Sequence, residues 1–230
     1  MSNTLLYSSM DMEQRVTELG FLPFFRCGIR GLSVAEMTPS ELWFSQEQDG
    51  PWEWKGPVIR EGHCAYGKMF NKKAGFVSLQ WLPRLINYRR SLHLARTEDM
   101  AALDDLVLQT IEAEGSATTP QLRSLLGIGH QRGGAYEPVE AEVANVKISL
   151  EPILTRLMME TRIVISNFEY NTDRHGNAYG WGIARYATPE SMYGNLPLPE
   201  EEPQTSRKIM INHLQQLFPK ASESMLLKLI

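Results

Sequence analysis

The run TEDMAALDDLVLQTIEAEGSATTPQLRSLL (residues 97–126), read together with SLEPILTRLMMETRIVISNFEYNTDRHGNAYGWGIARY (149–186), decides the fold. Leu103, Leu106, Val107 and Ile111 recur at helical spacing, which predicts an amphipathic helix from Asp99 to Glu114, stopped by Gly115. Thr118-Thr119-Pro120 supplies a hydroxyl cap and a proline at or near the first helical position, opening a short helix from Gln121 to Leu126. Gly127 closes it. Ser149 is placed to cap a third helix carrying Ile153, Leu154, Leu157 and Met158 on one face. Two β-rich runs, Arg162 to Tyr170 and Tyr179 to Tyr186, then flank a polar turn at 173–177. Three helices followed by a hairpin is the order of a winged helix, whose third helix commonly lies in the DNA major groove. Many such folds bind only protein, so the architecture points toward nucleic acid without establishing it.

Upstream, Met12 to Phe25 is expected to be helical, and Ser33 with Glu36 forms a capping box for a second short helix. A brief turn is expected from Thr38-Pro39 or Ser40 through Trp43. The string PWEWKGP (51–57), with breakers at both ends, predicts a loop or short strand. Cys64 to Phe70 and Gly75 to Leu79 are joined by Asn-Lys-Lys-Ala and predict a hairpin with a lysine-rich tip, followed by a helix from Pro83 to Ser91. Residues 195–206, with three prolines and three consecutive acids, are expected to link to a terminal helix started by Ser206, and Ser222 to cap a last turn. The expected class is α+β, with three parts. These are a helical and β-hairpin module (1–96), a winged helix (97–194), and an acidic linker with C-terminal helices (195–230) that dock on the body or on a second copy as a homodimer.

With 43% apolar residues, the 230-residue chain has an ordinary core complement. No run approaches the ~20 apolar residues of a membrane span, and the N-terminus lacks the pattern of a secretory signal. Cys27 and Cys64 are too few for a disulfide framework or a cysteine zinc site, so a cytoplasmic protein with reduced thiols is expected. Net charge is −4, but its distribution is uneven. Residues 60–96 carry +7, residues 1–59 carry −4, and residues 97–230 carry −7. Phosphate contacts supply most non-specific DNA affinity. The basic island lies outside the winged helix, so any DNA contact has to combine the two.

Lys72 and Lys73 at the hairpin tip, with Lys68, Arg84, Arg89 and Arg90 nearby in sequence, are the candidate phosphate contacts. Lysines on a β edge also serve solubility, and arginines beside acidic flanks also form surface ion pairs. Arg174-His175 at the second hairpin's tip resembles basic tips that enter a minor groove, although Gly and Asn make such turns for conformational reasons alone. Arg156 is the one internal basic residue of the third helix facing away from its apolar stripe, which is thin for base readout. Trp52 and Trp54 share a face if that segment is extended, either stacking on an unpaired base or filling the core.

The five histidines are scattered and none has a metal-ligand spacing. His63 and Cys64, adjacent on a strand, point to opposite faces. No phosphate loop, Gly-x-Ser-x-Gly or dinucleotide fingerprint occurs, so neither metal nor cofactor is expected.

The run from Phe21 to Phe44, the string PWEWKGP, YGKMF at 66–70, NYRR at 87–90, LTRL from Leu154, YGWGIA in the second hairpin and Thr188-Pro-Glu together resemble a bacterial family. It is named for its relation to the alkylpurine DNA glycosylases built from winged helices. The resemblance covers most of the chain. It implies relation to enzymes whose tandem winged helices grip damaged duplex DNA and whose Gln-x-Gln or Gln-x-Asp pair positions water against the N-glycosidic bond. Gln46-Glu47-Gln48 matches that pair in letters, between a short helix and a Gly-Pro turn. The chain is much shorter than those enzymes. The expected function is therefore DNA binding without catalysis, by charge contacts from the basic segment and the wing. A glycosylase-type hydrolase or a protein-interaction scaffold stands as the alternative.

Overall fold

The computed structural model describes residues 5–45, 47–92, 95–128, 142–143, 146–147, 149–174, 178–194 and 196–230. Helix α1 (Ser9–Leu19) is capped by Ser8, whose Oγ accepts the Asp11 N–H at 3.1 Å. It ends at Gly20, where φ is +78° and an added Cβ would lie 2.4 Å from the Trp81 ring. The expected helix through Phe25 therefore stops six residues early. The apolar run after Gly20 becomes strand β1 (Phe21–Pro23), because three consecutive buried side chains fill a strand between layers better than one face of a helix. Helix α2 (Val34–Met37) carries the expected Ser33–Glu36 box, and a single tight turn follows at Ser40–Leu42.

Residues 51–57 depart from expectation. They belong to helix α3 (Pro51–Glu61), with Pro51 in its first turn and the Glu53 carboxylate accepting the Gly50 N–H at 2.9 Å. Pro57 sits inside this helix. Proline disfavours α geometry at the preceding residue through a clash with its Cβ, and here that residue is Gly56, which has none. Strands β2 (Cys64–Phe70) and β3 (Lys73–Ser78) form the expected hairpin, and β1 pairs on the far side of β3, giving an antiparallel sheet of order β1-β3-β2. Phe76 is the register centre, opposite Leu22 on one side and Tyr66 on the other. Helix α4 (Leu82–Arg90) follows.

The second half begins with α5 (Glu98–Ala113), ended by Gly115 at φ +70°. Strand β4 (Ala117–Thr118) leads into α6 (Thr119–Leu125), where Thr118 and Gln121 bond reciprocally as a capping box. A short pair, β5 (Glu142–Val143) and β6 (Val146–Lys147), precedes α7 (Leu150–Met159). Ser149 occupies the N-cap position of α7, but its side chain makes no capping bond. Strands β7 (Val164–Thr172) and β8 (Ala178–Ala187) form the long hairpin, and β4 adds to β8, giving the order β4-β8-β7.

After α8 (Pro189–Tyr193), the terminal helix α9 (Pro203–Leu217) starts three residues before Ser206. Ser206 is fully buried and its Oγ donates to Glu201 Oε1 at 2.9 Å. Glu201 is thus a packing element rather than solvated linker. The apolar side of α9 rests on α4 within the same chain, and α10 (Glu223–Leu226) packs beside it. Across the chain, β2 lies against both α7 and β7, and α3 against β7. One apolar core, running from Leu6 to Ile230, therefore crosses the expected module boundaries. No described helix is long and apolar enough to cross a membrane.

Candidate nucleic-acid interface

The β2–β3 hairpin turns at Asn71 and Lys72, both in the left-handed region at φ +48° and +65°. Consecutive positive φ values are those of a mirror-type two-residue turn, whose twist matches that of the strands it joins. The Lys72 N–H lies 3.2 Å from Met159 Sδ at the end of α7, which fixes the turn against the second half of the chain. Lys73 is the first residue of β3, and its Nζ donates to the Arg26 carbonyl at 3.4 Å. Arg26 follows β1 in sequence, and only the pairing of β1 with β3 brings it to the tip. Lys72, Lys73 and Arg26 are all exposed, and among the described residues none forms an ion pair.

Apart from Arg60, which is exposed on α3, the remainder of the basic island is occupied. Lys68 pairs with Glu151 at the start of α7, and Arg84 Nε with Glu201 Oε1 at 2.9 Å, its guanidinium 6.0 Å from the Trp81 ring centroid. Arg90 pairs with Glu190 at 2.6 Å and donates to the Thr161 carbonyl at 2.9 Å. Arg96 bridges Asp104 at 2.9 Å and Glu160 at 2.7 Å. Arg89 is buried and donates to the carbonyls of Met69 (2.6 Å), Met159 (3.0 Å) and Leu229 (3.4 Å), and burial pushes its pKa down to about 10. All five acidic partners of Lys68, Arg84, Arg90 and Arg96 come from beyond residue 97. The charge segregation along the sequence is thus largely cancellation in space.

The third helix is likewise occupied. Arg156 donates to Asp104 from Nε at 3.0 Å and from Nη2 at 2.5 Å. On α7, Ile153, Leu154, Leu157 and Met158 are buried between α5 and β2, with Met158 lying against Gly67. Trp52 and Trp54 are separated by helical geometry rather than sharing an extended face. Trp54 is in the core, while Trp52 joins Phe24, Phe25 and Trp43 in an aromatic cluster. Lys55 lies over the Trp52 ring at 5.0 Å and the Phe168 ring at 4.2 Å, with burial holding its ammonium below the usual lysine range.

Arg174 is exposed at the far end of β7, and His175 lies outside the described residues, as do Gln46, His93 and His130. Up to roughly 30 Å of strand separates Arg174 from Val164 at the start of β7. Nearer the far end, Tyr170 is exposed, and its ring crosses Gly182, where a Cβ would lie 2.9 Å from Cζ. Arg60 on α3 acts electrostatically on this tyrosine.

Elsewhere, His63 Nδ1 pairs with Glu13, which raises the imidazole pKa, and His213 stacks on Trp81 at 4.1 Å. Burial pushes the Cys64 thiol up to about 12. The N–H groups of Glu47 and Gln48 donate to Ser45 Oγ at 3.2 and 3.1 Å on an exposed segment. No group of three or more potential metal ligands occurs among the described residues. Sequence reasoning missed Arg26 because its neighbourhood is set by strand pairing, which no local pattern encodes.

A protein-family model described as AlkZ related matches residues 6–230. No curated protein and no solved structure matches the chain.

Proposed function

The chain belongs to the AlkZ-related family, and from that premise we propose that it is a DNA-binding protein that grips the duplex backbone rather than reading bases. The observation carrying this reading is the tip itself. Lys72, Lys73 and Arg26 remain as uncompensated cations at a fixed turn, in a region whose other charges, Arg60 apart, are spent on internal partners. Clustered cations without local carboxylates are the footprint of phosphate contact.

In this reading residues 97–194 are a winged helix. The order α5-β4-α6-α7-β7-β8 and the strand order β4-β8-β7 support it. Its third helix packs inside the protein, so the second contact is the wing, through Arg174 and His175, with Tyr170 and Arg60 along its flank. Contacts of this kind position a protein without specifying sequence. A non-hydrolytic role is favoured by the exposed setting of Glu47 and Gln48. The test is fluorescence anisotropy with labelled duplex and single-stranded DNA at low and moderate salt. Saturable duplex binding that weakens steeply with salt is expected. Absence of binding to either DNA at micromolar protein and low salt overturns the proposal.

A further inference from the structure

A cleft of about 760 Å³ opens where the end of α1, the glycine-bounded loop at 28–31 and the turn after α9 converge. That volume lies within the ~300–1,000 Å³ of small-molecule sites. Its walls are apolar: Leu19, Ile29 and Met37 on one side, Phe218 and Met225 on the other. Three cations line it from three separate elements, Arg15 on α1, Arg30 in the loop and Lys220 in the turn. Arg15 is tied to Glu18 at 2.9 Å, but Glu18 does not line the cleft. Arg30 and Lys220 are exposed and form no ion pair among the described residues. No carboxylate, amide or hydroxyl side chain is among the lining groups.

We propose that this cleft is a binding site for a small amphiphilic anion, an acyl or aryl body bearing one phosphate, sulfonate or carboxylate. The lining dictates both halves of that description. Burying a polar body would strand its hydrogen-bonding groups against Leu, Ile, Met and Phe side chains, which costs free energy. A neutral apolar body would leave Arg30 and Lys220 facing it without an anion. A charged head at the rim with an apolar body on the floor satisfies both. The loop geometry suits the purpose, since Gly28 and Gly31 stand at φ +90° and +74°, letting the backbone turn tightly around the opening. The site is independent of the DNA-binding reading, because neither Lys72 nor Lys73 lines it.

Anilinonaphthalene sulfonate, itself an aryl anion, is the probe. Its fluorescence is expected to rise saturably with the wild-type protein and to be displaced by octanoate and octyl phosphate. Octanol, which lacks the charge, and inorganic phosphate, which lacks the body, should compete roughly tenfold less well, the scale of one charge-assisted contact. Whichever of octanoate and octyl phosphate displaces better identifies the preferred head group within the proposal. Arg30→Glu/Lys220→Glu should weaken the probe roughly tenfold without altering thermal unfolding, and Lys220→Gln should weaken it less. Undiminished probe binding to the double variant, octanol competing as well as octanoate, or no saturable binding overturns the assignment.

Discussion

Asp104 on α5 and Arg156 on α7 clasp the two helices together: the carboxylate, 1% exposed, accepts both guanidinium bonds of Arg156 and a third from Arg96. A buried carboxylate with two arginine partners is held by geometry, and removing it strands Arg156 at the helix interface and leaves Arg96 with Glu160 alone. Asp104→Ala should therefore destabilise the protein by about 3 kcal/mol, at the lower end for a broken buried pair because both arginines keep partial access to water. Urea denaturation checks this, and a loss below about 1 kcal/mol would contradict the clasp.

Arg89 is a second fastening. Its guanidinium joins strand β2, the end of α7 and the chain terminus through three carbonyls. Arg89→Lys keeps the charge but lacks the planar fork that reaches three acceptors. It should cost about 2–4 kcal/mol, the scale of buried acceptors left unmade, and leave DNA affinity of the remaining folded protein unchanged.

The histidine at the α3–β2 junction carries a pH dependence whose sign is set by Glu13. The ion pair raises the pKa of His63 above its ordinary 6.5, so its stabilising contribution is complete below the unfolded-state pKa and is lost as pH rises through the higher folded-state value. NMR titration of His63 should give a pKa above 6.5 that falls in Glu13→Gln. An unshifted titration, or one unaffected by the substitution, would contradict the pairing.

Cys64 is buried and its thiol is pushed up to about 12 by desolvation, whereas Cys27 is half-buried with its Sγ donating to the Leu32 carbonyl at 3.2 Å. Thiolate is the reactive form. At neutral pH a thiol reagent should label Cys27 slowly and leave Cys64 untouched until denaturant is added. Rapid labelling of both in the native protein would contradict the burial of Cys64.

Local chemistry was legible in the sequence where one residue answers another within a few positions. The Ser33–Glu36 and Thr118–Gln121 boxes, the Lys72 turn and the glycine stops at 115 and 127 are all of that kind. PWEWKGP misled because Pro57 reads as a breaker, while its tolerance in α3 depends on the missing Cβ of Gly56. The basic island misled for a different reason. Whether Arg84 is free depends on Glu201, 117 residues away, and no periodicity reports such a pairing. The same blindness hid Arg26 beside Lys73.

The island's charge is spent internally except at the tip and at Arg60, which stands exposed on α3. Duplex DNA binding measured across a salt series, for wild type, Lys72→Glu/Lys73→Glu and Arg84→Gln/Arg90→Gln, tests it most directly. The tip variant should bind about tenfold or more weakly, with a log–log salt slope shallower by about 2, while the Arg84/Arg90 variant stays within about twofold of wild type. Equal loss in both variants, or loss only in the Arg84/Arg90 variant, would contradict the account.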